Sequence, residues 1–345
     1  MTKGMLLPAL FCALLAAPAS AQTTVTVGVA SSISDAPIYI AQKKGFFRDE
    51  GLDVRAETFN SAANMVAPLG AGQLDVGGGA PSAGLYNAIA RGIRLKIVAD
   101  KGSSQPGYGV NRLLVRKAHI DSGKYKTPAD LRGMKVAQSG VGVSSMTTLN
   151  EIIAPYGVKY SEVQTVELAF PQHVIALQNG AVDAALTTDP ASTLAVKSGA
   201  AVVIKADDEA IPRHQVAVLL YSEQFADKRP EVARKFMRAY LRAVRFYNDA
   251  LSESRFRGPN AQEVVAILIE ATALKDPALY AEITPVGNDP NGRVNFQSLK
   301  QDLDFYREQQ LVNANVNLND VVDSSFVEWA LKELGPYKPA AGSNK

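Results

Sequence analysis

Short runs of β-branched and other apolar residues alternate with segments of helical periodicity from Gln22 to Tyr221 of this 345-residue chain. The alternation predicts an α/β fold with parallel strands, because a helix between two strands returns the chain to the sheet edge where it started. We expect strands at Thr24–Val29, Leu52–Ala56, Leu74–Gly77, Leu95–Ala99, Met134–Ala137, Val163–Glu167, Ala181–Leu186 and Val202–Ile204. Beyond Tyr221 the pattern predicts helices alone, at Pro230–Leu251, Ala261–Thr272, Asp276–Ile283, Phe296–Gln309 and Val321–Leu334.

The segments 69–85 and 177–194 share a weak internal repeat. Each begins Leu-x-x-Gly-x-x-Asp, continues through a short apolar run and then reaches a proline and a leucine. The repeat predicts two similar lobes, although glycine and aspartate are also common at helix–turn–strand junctions.

Two apolar runs, Tyr108–Arg116 and Gln215–Tyr221, flank the second set of strands and helices. They are the expected crossings if one lobe is inserted into the other. We therefore expect a discontinuous first lobe, formed by 22–110 and 217–345 with the C-terminal helices, and an inserted second lobe formed by 111–216. A cleft between the lobes is then the expected ligand site, since α/β sheets bind ligands outside the carboxyl ends of their strands.

Residues 1–21 have the pattern of a signal peptide, in which Lys3 precedes an apolar run that ends in Ala19-Ser20-Ala21. We expect cleavage after Ala21 and export to the periplasm. Cys12 is the only cysteine of the chain and lies in this segment. The mature chain is therefore expected to have no disulfide, no cysteine nucleophile and no thiolate metal site.

Composition narrows the range of partners. The 36 Lys and Arg residues nearly balance the 34 Asp and Glu residues, for a net charge of +2, and no basic block stands out. Nucleic acid and anionic membrane surfaces are therefore not expected as partners. His119, His173 and His214 show no metal-ligand spacing, so we expect no metal and no other cofactor. A monomer is expected.

The stretch from Leu74 to Gly92 contains three consecutive glycines, Gly77–Gly79. It lacks the third glycine of a dinucleotide-binding turn and the Gly-Lys of a phosphate-binding loop. It also has Ala80 where a nucleophile elbow requires glycine before Ser82. What remains is a tight turn from a strand into a helix, and the free N–H groups at a helix N-terminus favour an anionic or polar ligand.

Four segments resemble, in family order, the substrate-binding proteins of ABC transporters of the sulfonate, nitrate and taurine class. The segments are Pro37–Val54 (PIYIAQKKGFFRDEGLDV), Leu74–Ser82, Thr127–Ala137 and Leu177–Ala185. Relatives that bind thiamine pyrimidine precursors share this signature. The resemblance implies the two-lobed type II periplasmic binding protein fold, with a central cleft between two mixed sheets and extra C-terminal helices. It also implies that a small organic solute is delivered to an inner-membrane ABC permease.

The resemblance places the ligand loops on Ser32, Ile33, Ser34, Ala80, Pro81, Ser82, Val143, Ser144, Ser145, Phe170-Pro171 and Thr188-Asp189-Pro190. Ser82 and Ser144 start helices, where capping and ligand contact are both open roles. Asp189 either caps its helix or faces an ammonium or ring N–H group. The ligand therefore stays open among sulfonates, carboxylates (including aromatic ones), nitrate, pyrimidines and zwitterions.

Three other interpretations have less support. Gly140–Ser145 resembles the start of a dinucleotide-binding turn, but the third glycine is absent and the acidic partner, Glu167, lies farther along the chain than the motif requires. An enzyme of thiamine-pyrimidine synthesis would share the fold, but its yeast representatives carry a cysteine-rich motif that this chain lacks. Presentation of the ligand to a membrane sensor is a further alternative. We expect a transport protein without enzymatic activity.

Overall fold

The computed structural model describes residues 22–272 and 274–343, so the predicted signal peptide lies outside the described residues. The strands are β1 Thr23–Val29, β2 Leu52–Thr58, β3 Val76–Gly79, β4 Leu95–Ser104, β5 Arg112–Arg116, β6 Lys135–Gln138, β7 Gln164–Glu167, β8 Ala184–Thr187, β9 Ala201–Ala206, β10 His214–Ser222, β11 Leu251–Ser252 and β12 Arg255–Phe256. Each predicted strand matches one of these within a few residues.

Helices connect the strands and fill the C-terminal third. They are α1 Ala36–Lys43, α2 Phe46–Asp49, α3 Val66–Gly70, α4 Ala83–Ala90, α5 Lys117–Asp121, α6 Ser144–Ile153, α7 Phe170–Asn179, α8 Ala191–Lys197, α9 Asp207–Ala210, α10 Glu223–Ala226, α11 Pro230–Asn248, α12 Ala261–Ala271, α13 Phe296–Glu308, α14 Leu318–Val321 and α15 Ser325–Leu334. Short 3₁₀ turns lie at Ile33–Asp35, Ala62–Met65, Pro128–Leu131, Ala154–Tyr156, Tyr160–Glu162 and Pro277–Ala281. Within the described ranges, no helix combines the length and apolar character needed to cross a membrane.

Two five-stranded sheets share one topology. The first has the order β2-β1-β3-β10-β4 and the second has the order β7-β6-β8-β5-β9. In each sheet the fourth strand, β10 or β5, runs antiparallel to both neighbours, and the first three strands are parallel. The sheets are therefore mixed, as the family resemblance implied. The expectation of parallel sheets, which rested on the alternation alone, was wrong. The antiparallel strands are the two apolar crossing runs.

The prediction of helices alone beyond Tyr221 is also corrected. Strands β11 and β12 pair as a short antiparallel hairpin, and the expected helix at 276–283 is the 3₁₀ turn Pro277–Ala281. Strand β10 begins at His214, just before the expected start of the C-terminal part of the first lobe. Two-residue strands bury too little to leave a readable alternation in the sequence.

The internal repeat occupies equivalent places in the two sheets. Asp75 precedes β3 and accepts the N–H of Thr26 on β1 at 3.0 Å. Asp183 precedes β8 and accepts the N–H of Lys135, the first residue of β6, at 2.9 Å. In both sheets the aspartate therefore ties the start of one parallel strand to the strand beside it.

The C-terminal helices cover both faces of the first sheet: α11, α12 and α15 pack on the face that carries α1, and α13 and α14 pack with α3 and α4 on the other. Helix α11 packs between α1 and α15. It buries Phe236, Tyr240 and Val244, which recur at helical spacing on one face. Burying a side chain of this size stabilises the fold by about 1.5–3 kcal/mol. Both faces of the first sheet are thus packed core, which leaves the ends and edges of its strands as the places open to a ligand.

The glycine triplet is explained by close packing around β3. A Cβ atom on Gly77 would lie 2.8 Å from a methyl carbon of Leu69, and one on Gly79 would lie 2.6 Å from the Cβ of Ala62. None of the three glycines has a positive φ. They are required because neighbouring groups approach the strand closely, rather than because the backbone is left-handed.

We expect Gly79→Ala to lower the free energy of unfolding by about 1–3 kcal/mol, because the new methyl group overlaps Ala62. Gly84→Ala is the matched control, since a Cβ atom there meets only the Ser82 hydroxyl, at 3.7 Å. In helix α4 this change should stabilise the protein by about 0.5 kcal/mol. Urea unfolding followed by circular dichroism measures both. Equal stability of the two variants would contradict the packing explanation.

Candidate functional site

A small cavity, here called the central cavity, lies where loops from both sheets meet. Its volume is about 40 Å³, and it is lined by Ala30, Ser32, Ser34, Ser61, Ala62, Gly79, Ala80, Val110, Asn111, Ser139, Val143, Ser144, Ser145, Phe170, Thr188, Val216 and Ala217. Most of these residues lie between the carboxyl end of a parallel strand and the first turn of the helix that follows it, after β1, β2 and β3 of one sheet or β6, β7 and β8 of the other. Ligands of α/β sheets bind at this edge.

Hydrogen bonds between the two sets of loops hold the cavity closed. The N–H of Ile33, after β1, donates to the carbonyl of Asp189, after β8, at 3.0 Å. The N–H of Ala83 donates to the carbonyl of Gly142 at 2.7 Å. With these contacts in place the cavity has room for about three water molecules, which is the size of a small anion or of a ligand's head group.

On the side of the first sheet, two serines present hydroxyl groups to the cavity. The serines are Ser32, which caps the 3₁₀ turn Ile33–Asp35, and Ser34, which lies within it. The N–H of Ser34 donates to the Ser32 hydroxyl at 3.3 Å. The Asp35 carboxylate accepts the N–H groups of Ser32 at 2.9 Å and of Ala30 at 3.3 Å. This capping box fixes the loop, so the positions of both hydroxyls are determined by local structure.

On the side of the second sheet, the N-terminus of α6 faces the cavity. Val143 is its N-cap residue and makes no side-chain capping bond. The first N–H groups of a helix have no partner within the helix and carry partial positive charge. The Ser144 hydroxyl donates to the carbonyl of Val216 on β10 at 3.1 Å. This arrangement favours an anion at the helix tip.

Three lining residues keep a buried polar atom without a hydrogen-bond partner among the described residues. The atoms are Ser61 Oγ, Asn111 Nδ2 and Thr188 Oγ1, and these residues are only 2%, 5% and 1% exposed. An unpaired buried polar group costs about 1–3 kcal/mol. Three such groups around one cavity leave hydrogen-bonding capacity that a polar ligand can satisfy.

The central cavity has no ionisable side chain in its lining. Across residues 22–272 and 274–343 there is also no group of three or more His, Cys, Asp or Glu side chains placed to hold a metal ion. The site can therefore bind through hydroxyl, amide and backbone dipoles, which act strongly where water is excluded.

Eight of the fourteen residues that the resemblance placed in ligand loops line the central cavity: Ser32, Ser34, Ala80, Val143, Ser144, Ser145, Phe170 and Thr188. Ser61, Asn111 and Ser139 also line it and were not predicted. The position of Ser61 shortly after β2 was a usable signal, because ligands of α/β sheets bind beyond the carboxyl ends of the strands. Asn111 precedes an antiparallel strand, where that rule gives no indication.

Pro81 and Ser82 are absent from the lining of the central cavity. The Ser82 hydroxyl accepts the N–H of Leu85 at 3.1 Å and so caps α4. The carbonyl of Pro81 accepts the hydroxyl of Tyr306 at 3.3 Å. Of the two roles that the sequence left open for Ser82, the structure displays capping.

Asp189 does not line the central cavity either, because its carboxylate is occupied by the protein. Oδ1 accepts the Ser192 hydroxyl and both the N–H and the hydroxyl of Thr193, the latter two at 3.0 and 2.7 Å. Oδ2 accepts the N–H of Thr284 at 3.0 Å and lies 3.3 Å from an Arg112 nitrogen. Asp189 thus caps α8, and it gives no geometric reason to expect an ammonium group on the ligand.

A larger side cavity of about 370 Å³ adjoins the central one and shares Ser32 and Phe170 with it. It is lined by Ser31, Ser32, Ile33, Tyr39, Thr58, Phe170, Pro171, Val174, Ile175, Pro190, Ala191, Leu194, Ala271, Thr272, Tyr280 and Ile283. Most of these side chains are apolar. Three further residues of the predicted ligand loops, Ile33, Pro171 and Pro190, lie here.

The arrangement of the two sheets matches solved binding proteins. The alkanesulfonate-binding protein of Xanthomonas axonopodis pv. citri, solved with bound MOPS, is similar with a TM-score of 0.69. The comparison covers 89% of this chain and 99% of that one at 19% sequence identity, which establishes the fold alone. The class is the two-lobed type II periplasmic binding protein fold, as the sequence predicted.

The family follows from the sequence comparison. The model of the NMT1/THI5-like family matches residues 33–250, which is more than half of the chain. The chain belongs to the NMT1/THI5-like family.

Curated relatives include a binding protein and an enzyme. The taurine-binding periplasmic protein of Escherichia coli (strain K12) is 26% identical over 322 residues, which covers 88% of this chain and 93% of that protein. The 4-amino-5-hydroxymethyl-2-methylpyrimidine phosphate synthase of Aspergillus parasiticus is 28% identical over 223 residues, which covers 61% of each chain.

His173 supports Phe170, the residue shared by the two cavities. It lies one turn along α7, is fully buried, and its ring packs edge-on against that of Phe170 with centroids 5.6 Å apart. Nε2–H donates to the carbonyl of Leu168 at 2.9 Å. Burial lowers the pKa of the His173 imidazole from 6.5 to about 4, against smaller opposing effects of backbone contacts with Leu168 and Gln138. The folded protein therefore holds this ring neutral.

We expect His173 to make folding stability depend on pH between about 4 and 6.5. In that range the unfolded chain binds a proton that the folded chain does not, so stability falls on acidification. His173 contributes its full stabilisation above pH 6.5 and loses it as the pH falls toward 4. Urea unfolding of the wild type and His173→Gln at several pH values measures this. Parallel profiles of the two proteins would contradict the prediction.

Proposed function

We propose that this chain is the solute-binding component of an ABC importer and binds a small organic anion or zwitterion, with a sulfonate or carboxylate head group, in the central cavity. The observation that carries the proposal is the set of unpaired buried polar atoms on Ser61, Asn111 and Thr188. Membership in the NMT1/THI5-like family and similarity to a taurine-binding periplasmic protein support it.

The two cavities suit the two ends of such a ligand. The central cavity offers hydroxyl and N–H donors to a head group and has no cation in its lining. The side cavity can take the organic part, since its lining is mostly apolar and it joins the central cavity at Ser32 and Phe170. Apolar contact adds affinity, and the polar groups fix the orientation of the ligand.

The proposed working cycle is opening and closing of two lobes, one formed by 22–110 and 217–345 and the other by 111–216. Opening requires that the hydrogen bonds from Ile33 to Asp189 and from Ala83 to Gly142 break. A ligand that fills the cavity would favour the closed state, because it pairs donors from both sides. We further propose that the chain is exported to the periplasm after loss of residues 1–21, acts as a monomer and docks on an inner-membrane permease.

The similarity to a pyrimidine phosphate synthase favours an enzyme as the second candidate. Catalysis would need a group that transfers protons or attacks the substrate. The described residues contain no cysteine, and the central cavity has no ionisable lining residue. Release of the bound molecule unchanged would separate the two functions.

A ligand panel tests the proposal. Protein refolded from denaturant, to remove any bound solute, is screened by thermal unfolding with methanesulfonate, taurine, acetate, benzoate, nitrate and 4-amino-5-hydroxymethyl-2-methylpyrimidine. A solute at about one hundred times its Kd should stabilise the protein by about 2.7 kcal/mol. Mass spectrometry of the incubated solute should show no conversion. Stabilisation by none of these solutes, or conversion of one, would reject the proposal.

We expect Thr188→Val and Asn111→Ala to weaken binding of the tightest anion of the panel by about ten- to a hundredfold each, since each removes a hydrogen bond to a charged group. Isothermal titration calorimetry measures the loss. Ser82→Ala is the control: it removes the α4 cap, should cost about 1 kcal/mol of stability, and should leave affinity unchanged. Loss of affinity in the control alone would place the ligand elsewhere.

A further inference from the structure

A buried ion pair lies directly beneath the serine loop of the central cavity. Lys101, on β4, and Asp35 both have fully buried side chains, and the Lys101 Nζ lies 2.7 Å from an Asp35 oxygen. The same Nζ donates a hydrogen bond to the Ser34 hydroxyl at 2.8 Å. Burying two charges costs desolvation free energy, and a well-packed apolar pair avoids this cost. A specific use for the ammonium group is therefore a reasonable inference.

Gly78, the second glycine of the triplet, leaves room for the side chain of Lys101. A Cβ atom on Gly78 would lie 2.6 Å from Lys101 Cε and 3.1 Å from the carbonyl oxygen of Gly28. Any larger residue would push the lysine stem away from Ser34. The glycine at this position and the buried lysine therefore act together.

The ammonium group sets the direction of a chain of hydrogen bonds. An ammonium only donates, so the Ser34 hydroxyl must accept from Lys101. The Ser34 hydroxyl then donates to the Ser32 hydroxyl at 3.3 Å, which also accepts the Ser34 N–H. Because the Ser32 oxygen accepts both of these hydrogen bonds, its own hydroxyl proton must point elsewhere. Within the described ranges the structure gives that proton no acceptor. Ser32 lines the central cavity, so its proton is free for a ligand.

We propose that Lys101 is a positioning residue that fixes Ser32 as a hydrogen-bond donor and so makes the central cavity selective for an oxyanion. This inference rests on the proposed function. The positive charge stays paired with Asp35 and never contacts the ligand. It polarises the two hydroxyls in sequence, which strengthens the last donor. A ligand that presents a donor at this point meets another donor and is rejected.

Two pairs of probes of equal size test the selectivity: methanesulfonate against methanesulfonamide, and acetate against acetamide. Titration calorimetry of the wild type should show binding of at least one anion, with its amide at least about tenfold weaker. Lys101→Met should weaken binding of that anion about tenfold and change amide binding by less than about twofold. The control is Lys96→Met on the same strand, whose Nζ donates to the carbonyl of Asp320 at the surface. It should change neither.

A double-mutant cycle tests whether Lys101 acts through the hydrogen-bond relay from Lys101 through Ser34 to Ser32, or only supports the structure. Ser34→Ala keeps the ion pair but cuts the relay, so it should cause the same loss of anion affinity as Lys101→Met. Adding Lys101→Met to Ser34→Ala should then cause no further loss. Should Lys101→Met fail to fold, because Asp35 is left unpaired, Ser34→Ala and Lys101→Gln are compared by the same anion-to-amide ratio.

Each outcome decides the inference. Equal weakening of anion and amide, additive losses in the cycle, or unchanged affinity in Lys101→Met or its replacement Lys101→Gln would overturn it and leave the proposed function standing. If the wild type binds neither methanesulfonate nor acetate, the inference is overturned, and only binding of taurine or benzoate keeps the proposed head group. The proposed function then stands only if another solute of the panel stabilises the protein.

Discussion

Parallel strands end at one edge of a sheet, and this constraint determines where the site of this protein lies. In each sheet the first three strands are parallel, so three loops collect at one edge. The contacts from Ile33 to Asp189 and from Ala83 to Gly142 bring the two edges together. Short loops that leave a strand and enter a helix expose N–H groups and serine hydroxyls. The topology of the two sheets is therefore enough to place a polar cavity between these edges, whatever ligand the particular side chains bind.

Much of the fold could be predicted because its signals are local. Strands such as β1 and β4 are read from apolar runs, and the repeat around Asp75 and Asp183 anticipated the shared topology of the sheets. Strand direction could not be read, because an antiparallel strand such as β5 has the same composition as a parallel one. Pairing is decided by partners far along the chain. The resemblance to a known family supplied the mixed sheets.

A candidate site residue could be predicted where its type coincides with a helix start, as at Ser144, and the family resemblance supplied Ser32. Asn111 was not predictable, since it reaches the cavity only because β5 lies between β8 and β9. Ser82 and Asp189 show the opposite case. A serine or aspartate at a helix start looks the same in the sequence whether it caps the helix or faces a ligand. Only burial and the partner of each oxygen separate the two roles.

An anion site without a cation in its lining has consequences for transport. A buried salt bridge to the ligand would be strong, but one partner would be left as an unpaired charge when the ligand leaves. Here each donor is a neutral hydroxyl, amide or N–H group, and water can satisfy it as soon as the lobes part. The Lys101 ammonium group is paired with Asp35 within the protein, and the pair contains no atom of the proposed ligand. In the proposed cycle, opening of the lobes would therefore leave neither Lys101 nor Asp35 as an unpaired charge.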